Sequence, residues 1–298
     1  MRTIETHISI PKWIEELELG KKWYKFSRSP LSLLGLVIAC STIILALLAP
    51  FLAPYPQHAG FYHNFMESCQ GLSLKHPFGT DQFGRDVLSR TIFGFRYSLM
   101  MAGVVLLLVV PLGVILGLIA GYYREKIKII EIVIMRIADI FIAVPPLVLA
   151  LAICSVLTPS VFHAMMAVSL MWWPWYTRLT YNVTSSLKEE YFVQAAEVTG
   201  ASSSHIIFKE ILPNCLGSIL TKVTLDVGWI ILIGSALSFV GLGAQPPTPD
   251  LGTMVAEGGN FLPDFWWISL FPALAISYTI LGFNLLGDGV RDTFVEER

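Results

Sequence analysis

Residues 188–214 read KEEYFVQAAEVTGASSSHIIFKEILPN, and the chain on either side of them is largely hydrocarbon. Lys188, Glu189, Glu190, Glu197, Lys209 and Glu210 are too much charge for a bilayer core, yet the pattern is helical. Tyr191, Phe192, Ala195, Ala196 and Val198 recur at helical spacing, and Gly200 stands where a helix would end on a left-handed residue. Ser202, Ser203 and Ser204 then offer N-caps for a second helix, whose apolar residues Ile206, Ile207, Ile211 and Leu212 lead into the next hydrophobic run. The expectation is a short helix, a glycine turn and a second short helix. On pattern alone, an interfacial loop lying on the membrane fits equally well.

The flanking chain fixes the setting. Of 298 residues, 54% are hydrophobic and 14% charged, against roughly 25% charged in soluble domains, which identifies an integral membrane protein. The net charge of −2 gives no reason to expect a nucleic-acid partner. Cys40, Cys69, Cys154 and Cys215 lack metal or disulfide spacing and read as packing residues. About 20 apolar residues cross hydrocarbon, and six segments qualify: 31–53, 97–122, 129–157, 161–180, 216–242 and 266–286. The third contains Val144, Pro145 and Pro146 and should bend there. The first is too long and too far from the start to be a cleaved leader, so it reads as a true span. With the N-terminus inside, Arg2, Lys12, Lys21, Lys22, Lys25, Arg28, Arg124, Lys126, Lys128, Arg178, Lys188, Lys209, Arg291 and Arg298 lie on the cytoplasmic side. Only Lys75, Arg85, Arg90 and Arg96 lie outside. Positive charge therefore places both termini and the 188–214 stretch in the cytoplasm.

The stretch resembles the EAA loop of ABC importer permeases, a pattern E-A-A-x-x-x-G followed by I-x-L-P. Ala195, Ala196, Gly200, Leu212 and Pro213 fall on it, while Gln194 stands in place of the first Glu and Glu210 in place of the Ile. Three further blocks, HPFGTDQFGRDVLSRTIFGFRYSL (76–99), ALSFVGLGAQPPTPDLGTMVAEG (236–258) and NLLGDGVRDTF (284–294), resemble the C-type subunit of the dipeptide, oligopeptide and nickel permease group. The resemblance implies an all-α polytopic membrane protein of six transmembrane helices, resident in a prokaryotic plasma (inner) membrane, whose cytoplasmic loop is a coupling helix docked on an ATPase. Glu190, Gln194, Ala195, Ala196, Glu197, Gly200, Ala201, Leu212 and Pro213 would form that loop. The implied partners are a B-type permease, two ATPase subunits and an extracytoplasmic substrate-binding protein, with membrane lipid around them. ATP and Mg would be bound by the ATPase subunits. The chain itself has no G-x-x-x-x-G-K-[ST] phosphate loop, so it is expected to carry no cofactor and no enzymatic step.

The segment from Ala244 is proline-rich, lacks Lys and Arg, and is anionic through Asp250, Glu257 and Asp264. By resemblance it lies at the pathway mouth, with Gln245, Pro246, Pro247, Asp250 and Glu257 facing the binding protein; a turn that merely closes the bundle is the alternative. Asp81, Arg85 and Asp86 are close enough in sequence to pair, at a turn leading into an amphipathic helix. His58, His63, Cys69 and His76 share one outside segment, but their spacing fits no metal motif, and they read as solvated loop residues. Arg136 with Asp139, and Lys222 with Asp226, are intramembrane charges at self-pairing distance. The run Met171 to Tyr176, MWWPWY, reads as a tryptophan belt at the inner interface, and PKWIEELELGKKWYKF (11–26) as an interfacial elbow helix.

The domain reading is therefore an N-terminal arm (1–30), a first span with its outside segment (31–96) and a permease core (97–298). The core holds the coupling loop at 185–213 and the outside loop at 244–265. Peptides lead as substrate, with nickel chelates or oligosaccharides as alternatives within the same architecture. A proton-coupled carrier using Asp139 or Asp226 is the rival from another class, and a membrane-embedded enzyme ranks third because no convergent catalytic set occurs.

Overall fold

The structure, a computed structural model, describes residues 12–294. Part of the expected N-terminal arm, and Arg298, lie outside the described residues. Among these residues the chain is helical with no strand: α1 (Lys12–Ser27), α2 (Pro30–Leu47), α3 (Ala49–Leu52), α4 (Val87–Tyr122), α5 (Lys128–Ile142), α6 (Pro146–Val156), α7 (Val161–Leu187), α8 (Tyr191–Val198), α9 (Ser203–His205), α10 (Leu212–Phe239), α11 (Leu251–Gly259) and α12 (Trp267–Phe294).

Among the described residues four helices are long and apolar enough to cross a membrane: α2, α4, the continuous helix Ser203–Phe239 containing α10, and α12. The α5–α6 pair makes a fifth if counted as one span, bent by 85°. The bend falls at the expected proline pair, since Pro145 cannot donate a backbone hydrogen bond and Pro146 starts the next helix. The sixth expected span, α7, is 27 residues long but not apolar enough to be counted with the others. Its polar residues instead face neighbouring helices. Trp172, Trp173, Tyr176, Thr177, Thr180 and Thr184 are buried, and α4 lies against them through Gly113, Gly117 and Gly121. A Cβ on those glycines would meet Tyr176, Thr180 and Thr184 at 2.5–2.8 Å. Small residues at four-residue spacing thus let the two backbones touch.

Two further helices differ from expectation. The second span is not preceded by a separate amphipathic helix. It begins at Val87, capped by the Asp86 carboxylate accepting from Ser89 N at 2.7 Å, and runs 36 residues without a break. The second short helix of the polar stretch is likewise no separate element. It continues into α10 through a π-helical turn, Ile206–Ile211. Pro213 cannot donate to the carbonyl four residues back, and Leu212 N instead bonds Ile207 O, five back, which absorbs the proline without a kink.

A helix, α1, stands where the elbow helix is expected. Trp23 and Tyr24 are exposed on it, and Phe26 is buried near Gly289 of α12.

Candidate functional site

Helix α8 ends in a two-bond motif that only a left-handed residue completes. Ala201 N donates to Ala196 O at 3.0 Å and Gly200 N to Glu197 O at 3.1 Å, with Gly200 at φ +84°. A Cβ on Gly200 would meet nothing within 4 Å, so backbone conformation alone demands glycine there. Ser202 then caps the next helix, its hydroxyl accepting from His205 N at 3.3 Å. The glycine turn and the serine cap follow the sequence reading.

The helix is pinned on one side. Lys126 Nζ lies 2.8 Å from Glu197 Oε1, and the Tyr122 hydroxyl donates to the same oxygen at 3.2 Å and to Ser203 Oγ at 3.4 Å. Hydrogen bonding from Lys126 holds the Glu197 carboxyl below the usual carboxylate range, and Glu197 raises Lys126 in return. Lys188 pairs with Glu125 at 2.9 Å. Val193 is fully buried, and Ala196 and Ala201 pack against the core. The other side is open: Tyr191 is 87% and Val198 89% exposed, with Ala195 between them at helical spacing. The two alanines of the motif thus divide, Ala195 outward and Ala196 inward. Glu190 takes the N-cap position of α8, Gln194 Nε2 donates to Glu189 O at 3.0 Å, Leu212 is half-buried and Pro213 exposed.

At the opposite end of the bundle the expected mouth residues converge, but not as an open anionic rim. Asp250 caps α11, accepting from Thr253 N at 3.0 Å, and burial pushes its carboxyl up. Glu257 lies 3.8 Å from Arg85. Pro247 O accepts from Arg90 at 3.3 Å, and Gln245 folds back to donate to Gly241 O at 3.0 Å. Gln245 and Pro246 are the exposed members. Helix α11 is wedged into the bundle, since a Cβ on Gly252 would meet Ser235 O at 2.2 Å.

Under it lies a buried polar cluster. Asp81 binds Arg85 Nε at 2.6 Å, approaches Arg90 Nε at 3.6 Å and accepts from Phe83 N and Arg85 N at 2.9 Å. Asp86, read with Asp81 and Arg85 as close enough to pair, instead caps α4 and meets His76 Nδ1 at 2.9 Å. His58 and His76, read from the sequence as solvated, are 2% and 0% exposed. His58 Nδ1 accepts from Asp86 N at 2.8 Å, and Tyr55 stacks on the His58 ring and lies tilted against that of His76. A loop without periodicity gave no sign of this burial. Among the described residues no group of three potential ligands could hold a metal.

The charges within spans do self-pair. Lys222 Nζ is 3.0 Å from Asp226 Oδ1 and Arg136 3.7 Å from Asp139, but each acid also takes a partner from α7. Trp172 Nε1 donates to Asp226 Oδ2 at 2.8 Å, and Arg178 pairs with Asp139. The tryptophan run is therefore not an interfacial belt: Trp172 and Trp173 are 6% and 8% exposed and belong to the core. Sequence reasoning also missed Tyr122 and Lys126 as the anchor of α8. Lys126 registered only as one more inside charge.

A helical bundle that crosses the membrane several times and presents one pinned, apolar-faced short helix is the architecture of a transport permease, and the comparisons with known proteins agree. Residues 113–296 match the family described as binding-protein-dependent transport system inner membrane component, and residues 20–68 match the N-terminal transmembrane domain of oligopeptide transport permease C. The dipeptide transport system permease protein DppC of Alkalihalophilus pseudofirmus is 38% identical, over 97% of this chain and 91% of the relative. The probable D,D-dipeptide transport system permease protein DdpC of Escherichia coli K12 is also 38% identical, over 98% and 96%. DppC of the same strain is 39% identical, over 92% and 91%. An inward-facing structure of the MetNI methionine ABC transporter shares the fold at TM-score 0.57 and 18% identity, covering 68% of this chain and 95% of that one. The chain belongs to the inner-membrane permease family of binding-protein-dependent transport systems. It is a membrane-embedded transport subunit of an ABC importer.

Proposed function

We propose that this permease forms, with a homologous B-type permease, the pathway of a peptide importer. Di- or oligopeptides are delivered by an extracytoplasmic binding protein, and the driving force comes from two ATPase subunits that bind ATP and Mg. The peptide substrate rests on the names of the relatives. The observation that carries the coupling role is α8: an apolar outer face of Tyr191, Ala195 and Val198, fixed by Glu197, Lys126 and Tyr122 to the end of α4. Such a face suits docking into a groove on another chain, and its rigid mounting lets the partner's closure be passed to the spans as rigid-body motion. Glu190, Gln194, Gly200, Ala201, Leu212 and Pro213 shape that plug.

In this reading the α8 end is cytoplasmic, as are both termini, and α7 completes six crossings. The 1–30 arm, the 31–96 segment and the 97–298 core are the corresponding units. The α11 end is the mouth: Gln245, Pro246 and Pro247 offer the surface that meets the binding protein, and Asp250 and Glu257 hold it in shape. Cysteines at Lys126 and Gln245 should label with an impermeant thiol reagent from opposite sides, Gln245 from outside. Labelling from one side would refute the topology.

Gly200→Val tests the plug. It forces a β-branched residue to φ +84°, straining the turn by about 1–3 kcal/mol with no neighbour against its Cβ. The expected permease inserts normally but loses its ATPase subunits on co-purification or uncouples hydrolysis from uptake. Full retention with normal uptake would make this stretch an interfacial loop.

A further inference from the structure

A second polar site lies on a different face, between α7, α10 and α12. A cavity of about 340 Å³ is lined by Leu179, Thr221, Lys222, Asp226, Trp229 and Arg291, among others, a size at the lower end of small-molecule sites, roughly 300–1,000 Å³. Its charges are unequal. Asp226 is 2% exposed and both its oxygens are occupied, one by Lys222 Nζ at 3.0 Å and the other by Trp172 Nε1 at 2.8 Å. That arrangement fixes the ammonium: Lys222 lies 5.4 Å from the Tyr176 ring and 6.0 Å from that of Trp175. Its side chain remains 25% exposed, leaving N–H groups beyond the one given to Asp226. Arg291 is exposed and makes no ion pair among the described residues. Two cations against one internally neutralised acid leave a net positive site beside the apolar surfaces of Leu179, Leu225 and Trp229.

Charge at this level of a helical bundle is expensive unless it faces a water-filled cavity or another protein, and a pocket of one net positive charge with apolar walls fits a small monoanion that has an apolar body. We propose that Lys222 and Arg291 form a carboxylate-binding station in the α8-end half of the pathway, receiving the C-terminal carboxylate of a short peptide in transit. Leu225 and Trp229 pack against its side chains. Lys222 and Arg291 are binding residues; Asp226 and Trp172 position Lys222. The proposal rests on the peptide reading above and extends it to a location and a recognised group.

The test uses the complete transporter with its ATPase and binding-protein subunits, reconstituted in nanodiscs and in parallel vesicles. The probe is a dipeptide carrying a photoreactive side chain and a free carboxylate. During turnover it should label α10 near Leu225 and Trp229, and its C-terminal amide should label there about tenfold less, as expected for loss of a charged hydrogen bond. Arg291→Gln touches no described partner, so it leaves the fold intact and should lower labelling by a similar factor. Lys222→Arg should keep labelling and Lys222→Gln lose it. Equal labelling by the amide, or unchanged labelling in Arg291→Gln, overturns the proposal. So does labelling of wild type that vanishes when an anionic phospholipid is added to phosphatidylcholine discs, which would assign the site to a lipid phosphate. Uptake of the plain dipeptide in the vesicles separates the two failures: wild-type uptake with no label at α10 refutes the station alone, whereas no uptake refutes the peptide reading.

Discussion

The two ends of the bundle are built on opposite principles. At the α8 end, ion pairs that are partly exposed, Lys126 with Glu197 and Lys188 with Glu125, hold a helix whose apolar face is bare. At the α11 end, Asp81, Arg85, Asp86, Arg90, His58 and His76 are all buried, and they hold the segment 53–86 between α3 and α4 in one shape. Exposed pairs are weak and screened, which suits the proposed role of α8 as an element held in orientation that still adjusts to a partner. Buried charges paired with one another fix one arrangement, and removing one member strands the rest.

The largest expected effect tests that rigidity. Asp81→Ala leaves Arg85 and Arg90 buried without their shared carboxylate and should destabilise the protein by about 3–5 kcal/mol, read as a lowered midpoint in detergent-held thermal unfolding. A shift within error would mean the cluster is not what holds the segment.

Glycines sharpen the contrast next. Gly200 and Gly241 both sit at φ +84°, both end a helix with the same two-bond motif, and neither has an atom within 4 Å of a Cβ position. Alanine at either should strain the backbone equally, by about 1–2 kcal/mol. Only Gly200→Ala should reduce uptake per ATP hydrolysed; equal functional loss would remove the distinction between the ends.

Acid should also separate them. Burial lowers the pKa of His58 from its ordinary 6.5, so its neutral ring stabilises the α11 end fully above that value and loses this as pH falls through the depressed one. Glu197 is lowered from 4.5 by Lys126, so its tie is complete above pH 4.5 and fails only below. Hydrogen exchange corrected for intrinsic rate should therefore rise in residues 54–86 between pH 7 and 5.5 and stay level in 188–201. The opposite order would reverse the assignment.

The smallest effect belongs to Lys126→Met. Stability should be unchanged within error while coupled uptake falls within about fivefold, the scale of one exposed ion pair. Uptake at the wild-type rate would show that Tyr122 alone orients α8.

Legibility in the sequence followed the same division. Gly200, Ser202 and the Pro145–Pro146 bend were readable because each acts through its own backbone: a left-handed turn, a cap, a missing donor. The exposed apolar face of α8 was readable in outline, since Tyr191, Ala195 and Val198 carry their periodicity within eight residues. Burial at the α11 end was not, because His58, His76 and Asp86 meet through loop geometry that no spacing encodes. Trp172 and Trp173 were misread for a different reason. In a chain this apolar, lipid-facing and protein-facing residues look alike, and only the glycines of α4 mark which side is packed. The same burial explains why α7 tolerates polarity that would disqualify a lipid-exposed span.

Helix α4 runs 36 residues from Val87 to Tyr122, continuous through Pro111, and is about 54 Å long at 1.5 Å per residue. Its foot carries Tyr122, bonded to Glu197 of α8, and its head begins at the Asp86 cap bound to His76. A tilt of roughly 5° about the foot sweeps the head through about 5 Å, more than the width of a water molecule. A single lever arm thus joins the end that carries α8 with the segment at the far surface, and no relay of side chains is needed between them.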